Sequence, residues 1–250
     1  MHGEGRRESK GRHGSLPLLQ TRVPYSVLFL LIFGCCLQVI WHGMRPTQQA
    51  NAESLPSAPS VAVLRLVSLG DPLLTARALM LWLQAFDNQP GMSIPFAALD
   101  YDKVRAWLAR ILALDPRGQY PLIAASRLYA QVPVEDKQRA MLAFVYEQFF
   151  SDPNRRWPWL VHGVILARHS LKDVPLALKY AQAITSHATG PHVPYWARDM
   201  SIIILEDMGE LEKARALIGK LLKRGDITDP GEVLFLKKKL EEIGRRIGSR

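Results

Sequence analysis

Residues 99–116 read LDYDKVRAWLARILALDP, and within them Val104, Leu108 and Ile111 stand at offsets of zero, four and seven. That spacing places all three on one stripe of a helix, with charged residues on the other faces. The stripe returns further along the chain. Ala140 and Phe144, then Ala177, Ala181 and Ile184, then Ala214, Ile218 and Leu221 repeat it, and the first positions are separated by 36, 37 and 37 residues. Glu147 interrupts the second copy. A small residue followed by apolar ones on the same stripe predicts a helix that a neighbour approaches closely, and a fixed period of this length is the signature of a helical-repeat architecture.

Outward from this stretch, everything beyond Ser60 reads as amphipathic helical windows broken by short turns. The expected helices lie near 61–69, 71–87, 101–114, 119–131, 135–150, 157–169, 173–187, 194–208, 210–224 and 230–246. Asp71-Pro72, Pro121, Pro158 and Asp229-Pro230 mark starts, because proline in the first turn forfeits no hydrogen bond. Gly70, Gly209 and Gly225 mark ends. No β-branched window of period two competes with them. Residues 88–100, NQPGMSIPFAALD, exceed an ordinary inter-helix turn and carry Met92, Ile94 and Phe96. Such a loop either packs as a plug or makes contacts, and packing is expected here.

These residues resemble the tetratricopeptide family. Tyr101, Val104, Leu108, Ile111 and Pro116 stand at the spacing of the second helix of such a repeat, and MGELEKARALIGKLLKRGD (208–226) is similar through Gly209, Leu211, Ala214, Ile218 and Leu221. The resemblance covers about residues 71–226. It departs from the family in the first helices, where a gap-free count puts Leu128, Ile165 and Ile202 at the small position, and in a period longer than the family's 34. It implies an all-α, TPR-like α-solenoid of antiparallel helix pairs over residues 61–250, capped by the polar helix 230–246. It also implies a habit of binding peptides or partner proteins, and no chemistry.

The N-terminal part has a different character. Residues 23–44, VPYSVLFLLIFGCCLQVIWHGM, contain no Asp, Glu, Lys or Arg, and 22 residues of helix cross a hydrocarbon core of ~30 Å. Trp41 and Tyr25 suit its two interfaces. Residues 1–22 carry five basic side chains against Glu4 and Glu8, and only Arg45 follows the span closely. The positive-inside rule then predicts a cytoplasmic basic N-terminus, a transmembrane helix and an external body. Ala50-Asn51-Ala52 is also a pattern that signal peptidase accepts, and Ile32-Phe33-Gly34-Cys35 is a poor lipobox, so retention, cleavage and lipidation are three fates of the segment. All three leave the body on the same side. Residues 45–60, rich in Pro, Ser and Ala, read as a flexible linker.

The net charge of +9 belongs mainly to the basic N-terminus and to residues 209–250, which hold 11 basic and 7 acidic side chains. No basic cluster is interleaved with stacking aromatics, so no nucleic-acid partner is expected. Cys35 and Cys36 are the whole cysteine supply and are neighbours in the apolar segment. They staple nothing else, which excludes a disulfide-framed secreted domain.

No catalytic constellation emerges. H-E-x-x-H, G-x-S-x-G, C-x-x-C and phosphate-cradling glycine loops do not occur. His162 and His169, with His187 and His192 further on, read as isolated histidines, so neither a metal nor another cofactor is expected. Glu206 and Asp207 are adjacent and do not face each other on a helix. A helical-repeat lytic transglycosylase would need a separate catalytic domain, for which no room remains after residue 226.

Residues 154–159, NRRWPW, concentrate Arg and Trp, as binding hot spots do, and Tyr195-Trp196-Ala197-Arg198 repeats the flavour. Tryptophans in the core with arginine stems laid over them is the plainer explanation of both. The family's groove spacing picks Trp159, His162, Trp196 and Asp199 as candidates for a partner groove. The expected function is a membrane-anchored, periplasm-facing interaction scaffold or assembly factor at the bacterial inner membrane, without enzymatic activity. An envelope hydrolase and a permanent structural subunit are the alternatives.

Overall fold

The computed structural model describes residues 24–44, 53–225, 227 and 229–249. The basic N-terminus, Arg45 and the Ala50-Asn51-Ala52 site lie outside them, as does the first half of the expected linker. Eleven α-helices occur among the described residues, and the chain divides into two compact units, residues 1–49 and 50–250.

In the first unit, α1 (Tyr25–Met44) is 20 residues long, with a mean hydropathy of 2.0 and no buried side chain. It is long and apolar enough to cross a membrane.

The second unit is predominantly helical: α2 (Val61–Val67), α3 (Pro72–Ala85), α4 (Tyr101–Leu114), α5 (Tyr120–Arg127), α6 (Glu135–Phe149), α7 (Pro153–His169), α8 (Val174–His187), α9 (Tyr195–Asp207), α10 (Leu211–Arg224) and α11 (Pro230–Gly248). Local chemistry sets their ends. The carboxylates of Asp71, Asp100, Asp173 and Asp229 accept hydrogen bonds from backbone N–H groups in the first turns of α3, α4, α8 and α11, satisfying donors that a helix start leaves without partners. Gly225 ends α10 in the left-handed region at φ 70°, which costs glycine little.

Each helix from α2 to α11 packs against its neighbour in the chain, and α4 also meets α6 while α5 meets α7. One core runs from Leu55 to Ile204. A second gathers Ile202, Leu205, Leu211, Ala214, Ile218, Leu221, Leu236 and Ile243 from α9, α10 and α11. Val104, Ala177 and Ala214 are fully buried and Ala140 is half-buried, while Glu147 lies at the surface in a two-pronged contact with Arg105 at 2.8 and 2.9 Å.

Three local departures from expectation have identifiable causes. The helix expected over 119–131 stops at Arg127 and continues as a 3-10 turn over Tyr129–Gln131. The 3-10 turn ends at Val132, whose ψ of 131° is the extended conformation that a residue before proline favours. Helix α7 starts at Pro153 rather than at 157, using Asp152-Pro153 as its entry and carrying Pro158 inside. Residues 88–93 form a two-stranded antiparallel hairpin, Asn88–Gln89 with Met92–Ser93, closed by Pro90-Gly91 with Gly91 at φ 79°. The rest of that segment packs: Ile94 and Leu99 are buried, and the Phe96 ring meets Tyr129 edge-on at 5.6 Å.

Residues 53–60, read from sequence as part of the linker, lie pinned to the body. Leu55 is buried, Trp107 Nε1 donates to the Pro56 carbonyl (2.8 Å) and Arg110 Nε to that of Pro59 (3.1 Å). The Gln89 side chain pairs with the Glu53 backbone in both directions, at 2.8 and 2.9 Å.

Candidate partner groove

Four aromatic and polar residues were expected to share a groove, and they fall into three separate settings. Trp159 and His162 lie one turn apart on α7 with their rings stacked, centroids 6.3 Å apart and planes 19° apart. The Trp159 indole N–H donates to Gln119 Oε1 just ahead of α5, tying α7 to the turn between α4 and α5. Burial, and then the positive Arg127, push the His162 pKa below its ordinary 6.5, so the imidazole is neutral at pH 7.

Trp196, 56% exposed, does not join this pair. Its ring meets Trp157 edge-on at 5.5 Å, bridging α9 and α7. Asp199 is buried behind it on the same helix and faces Glu232 of α11. Burial, reinforced by the neighbouring Glu232 carboxyl, pushes Asp199 up from 3.8 to about 8.

Of the two arginines of the NRRWPW stretch, one is buried and one is exposed. Arg156 is buried, and its guanidinium donates to the Gln148 carbonyl at the end of α6 (2.5 Å) and to the Pro116 carbonyl beyond α4 (2.9 Å). It ties the end of α6 to the turn beyond α4, a structural task. Arg155 stays at the surface beside Asp152, at 3.7 Å. Asn154 Oδ1 accepts from the Gly190 N–H (2.7 Å), and Arg198 donates to the Gly190 carbonyl (2.6 Å), so the loop before α9 is held from both sides.

Beside Gln119 opens a groove of about 520 Å³ between α3 and the α4–α5 turn. Buried Met80 and Ile111 form its floor, and Leu81 and Tyr120, each 67% exposed, form its rims. Arg77 and Asp115 give it one charge of each sign, and Gln84 and Gln119 contribute side-chain amides. An apolar floor with a few polar groups at the edge suits a segment that buries side chains and bonds through its backbone. None of Trp159, His162, Trp196 and Asp199 lines this groove; Trp159 reaches its edge only through the hydrogen bond to Gln119.

A second hollow, of about 790 Å³, runs along α10 and is lined by Glu212, Arg215, Lys220, Lys223, Arg224 and Leu240. Its walls are the charged face of an amphipathic helix. Glu206 and Asp207 turn to different helices: Glu206 takes Lys239 (3.0 Å) and Arg246 (3.1 Å) of α11, and Asp207 pairs with Arg168 of α7. Among the described residues, no three of His, Cys, Asp and Glu converge as a metal-ligand set.

No protein-family model matches the chain, and neither a curated protein nor a solved structure is similar to it.

Proposed function

We propose that this protein is a membrane-anchored interaction module, a scaffold or assembly factor that captures an apolar segment of a partner protein in the groove between α3 and the α4–α5 turn. The observation that carries the reading is the pairing of a preformed apolar floor, Met80 and Ile111, with the exposed rims Leu81 and Tyr120. A monomer gains nothing from exposing such residues around a concavity.

The helical body is a divergent TPR-like solenoid in this reading. Its support is the packing of each helix on its chain neighbour and the burial of Val104, Ala177 and Ala214 at one repeated position. In a solenoid of this kind α3, α5 and α7 are the first helices of successive pairs. The groove, with Gln119 and the Trp159–His162 stack beside it, then follows the face that such repeats use for partners. Helix α1 is the anchor, the N-terminus is cytoplasmic, and the body faces the periplasm from the bacterial inner membrane. The charge of residues 1–22 supports that orientation.

Affinity capture after chemical cross-linking in native membranes tests the reading. The full chain should yield a defined complex, and Leu81→Asp, a change at an exposed position, should lose it while the protein stays folded and membrane-bound. A complex that survives both Leu81→Asp and Tyr120→Asp would refute the groove as the docking site.

A further inference from the structure

Helices α2 and α3 meet at an angle of 109° around a turn at Ser68, Leu69 and Gly70. The outside of this corner is densely apolar: Leu69 is 95% exposed, Leu66 79%, Val67 65% and Leu74 64%, with Val63 and Leu73 also exposed. Leu69 is the informative residue. It takes φ 48°, in the left-handed region, where a side chain costs about 1 kcal/mol or more and glycine or asparagine is preferred. Neither backbone preference nor packing within the chain accounts for a leucine there.

We propose that this corner inserts Leu66, Val67, Leu69 and Leu74 into the interface of the bilayer that α1 spans, so that the body is seated on the lipid surface. The inference rests on reading α1 as a membrane anchor and goes beyond it. Three observations select lipid as the occupant. Glu53 is already bonded to the body through Gln89, so only residues 45–52 separate it from the end of α1. Nine residue steps reach at most about 32 Å when fully extended, which confines the body to the neighbourhood of the membrane. The α2–α3 pair has, taken together, the hydropathy of a membrane segment, bent at its turn. Arg65 and Arg77 flank the apolar tip and are exposed, whereas the single acidic residue between 61 and 86, Asp71, is engaged in capping α3. Apolar side chains at a tip with basic residues behind them suit the boundary between acyl chains and anionic headgroups.

The test uses the full chain with Cys35→Ala and Cys36→Ala, reconstituted in nanodiscs of phosphatidylcholine and phosphatidylglycerol. Single cysteines introduced as Leu69→Cys, Leu66→Cys, Leu30→Cys and Gln182→Cys carry an environment-sensitive fluorophore, and lipids bearing a shallow doxyl group serve as quencher. The labels at 69 and 66 should emit at shorter wavelength than the label at 182 and lose intensity to the doxyl lipid, as the label at 30 does. Labels at 69 and 66 that behave like that at 182, while 30 is quenched, overturn the proposal and leave the anchor intact. A blue-shifted label at 69 that doxyl lipid does not quench reports burial against a second copy of the chain, and also overturns it. An unquenched label at 30 removes the anchor itself, and the proposal with it.

Discussion

The carboxyl of Asp199 on α9 faces that of Glu232 on α11, and Glu232 Oε1 is buried with no donor reaching it. Two ionised carboxylates in such a place repel each other, and neither supplies a hydrogen. A proton held by Asp199 removes one charge and supplies the missing donor. The packing of α11 on the helices before it is thereby coupled to the protonation of a single pair.

This coupling predicts a pH dependence of defined sign. Folding raises Asp199 from 3.8 to about 8, so between those values the folded chain binds more protons than the unfolded one. Its contribution to stability is fully present below pH 3.8 and is lost as pH rises through about 8, with a slope of at most about 1.4 kcal/mol per pH unit. Thermal melting of the full chain between pH 7 and 9 should show the melting temperature falling, and Asp199→Asn should flatten the profile. His162 stays out of this window, because its pKa is pushed below 6.5. A wild-type profile that is flat, or that rises, contradicts the shared proton.

Arg156 provides a contrast within one dipeptide. Arg156→Met keeps the stem and removes the donors to the Gln148 and Pro116 carbonyls. Hydrogen bonds from a charged donor contribute about 1.5–3 kcal/mol at most. The Gln148 carbonyl keeps the Ser151 N–H at 3.3 Å, so the variant should lose about 1–2 kcal/mol. Arg155→Met, at an exposed neighbour, should stay within ~0.5 kcal/mol of wild type. Denaturant unfolding of the two variants measures the difference, and equal stabilities would show that these two bonds contribute nothing.

The register of the helical stripe can be tested by overpacking. Ala214 is fully buried, whereas the Lys213 side chain is 68% exposed. Ala214→Trp should cost more than the usual ~1–3 kcal/mol for added methylenes, with Ala177→Trp alike, and Lys213→Trp should stay within ~0.5 kcal/mol. Chemical denaturation gives the values. Tolerance of tryptophan at 214 would mean that no helix approaches closely there.

The same stripe shows how far the sequence could be read. Period and phase in α4, α8 and α10 were legible because Val104, Ala177 and Ala214 each begin a stripe of buried residues at helical spacing. The helices between them, α7 and α9, were less legible. A gap-free count from Ala177 lands on Ile165, which is 43% exposed, while the close approach occurs at Gly163, where an added Cβ would meet Tyr180 and Leu142 at 3.5 and 3.7 Å. From Ala214 the count lands on Ile202, one residue beyond Ser201, which meets Thr185 of α8 at 2.8 Å. Helices α7 and α9 are offset from the gap-free count by one or two residues, and no local pattern records that offset. The hairpin at 88–93 was invisible because two residues per strand are too few to express a period of two. The Asp199–Glu232 pair depends on α11 folding back beside α9, a tertiary event with no trace in spacing. Trp159 and Trp196 looked equivalent 37 residues apart, yet Trp196 pairs with Trp157, because the loop before α9 is drawn in by Asn154 and Arg198.

Partner capture in the α3–α5 groove is the central claim, and site-specific photo-cross-linking in intact cells tests it most directly. A photoreactive phenylalanine analogue in place of Leu81 or Tyr120 should give one and the same adduct. In place of Lys220, which lines the charged hollow on α10, it should give none of that species. The Tyr120 adduct should also disappear when Met80→Gln alters the groove floor in a chain that remains folded by limited proteolysis. Adducts from position 220 with none from 81 or 120 would contradict the account.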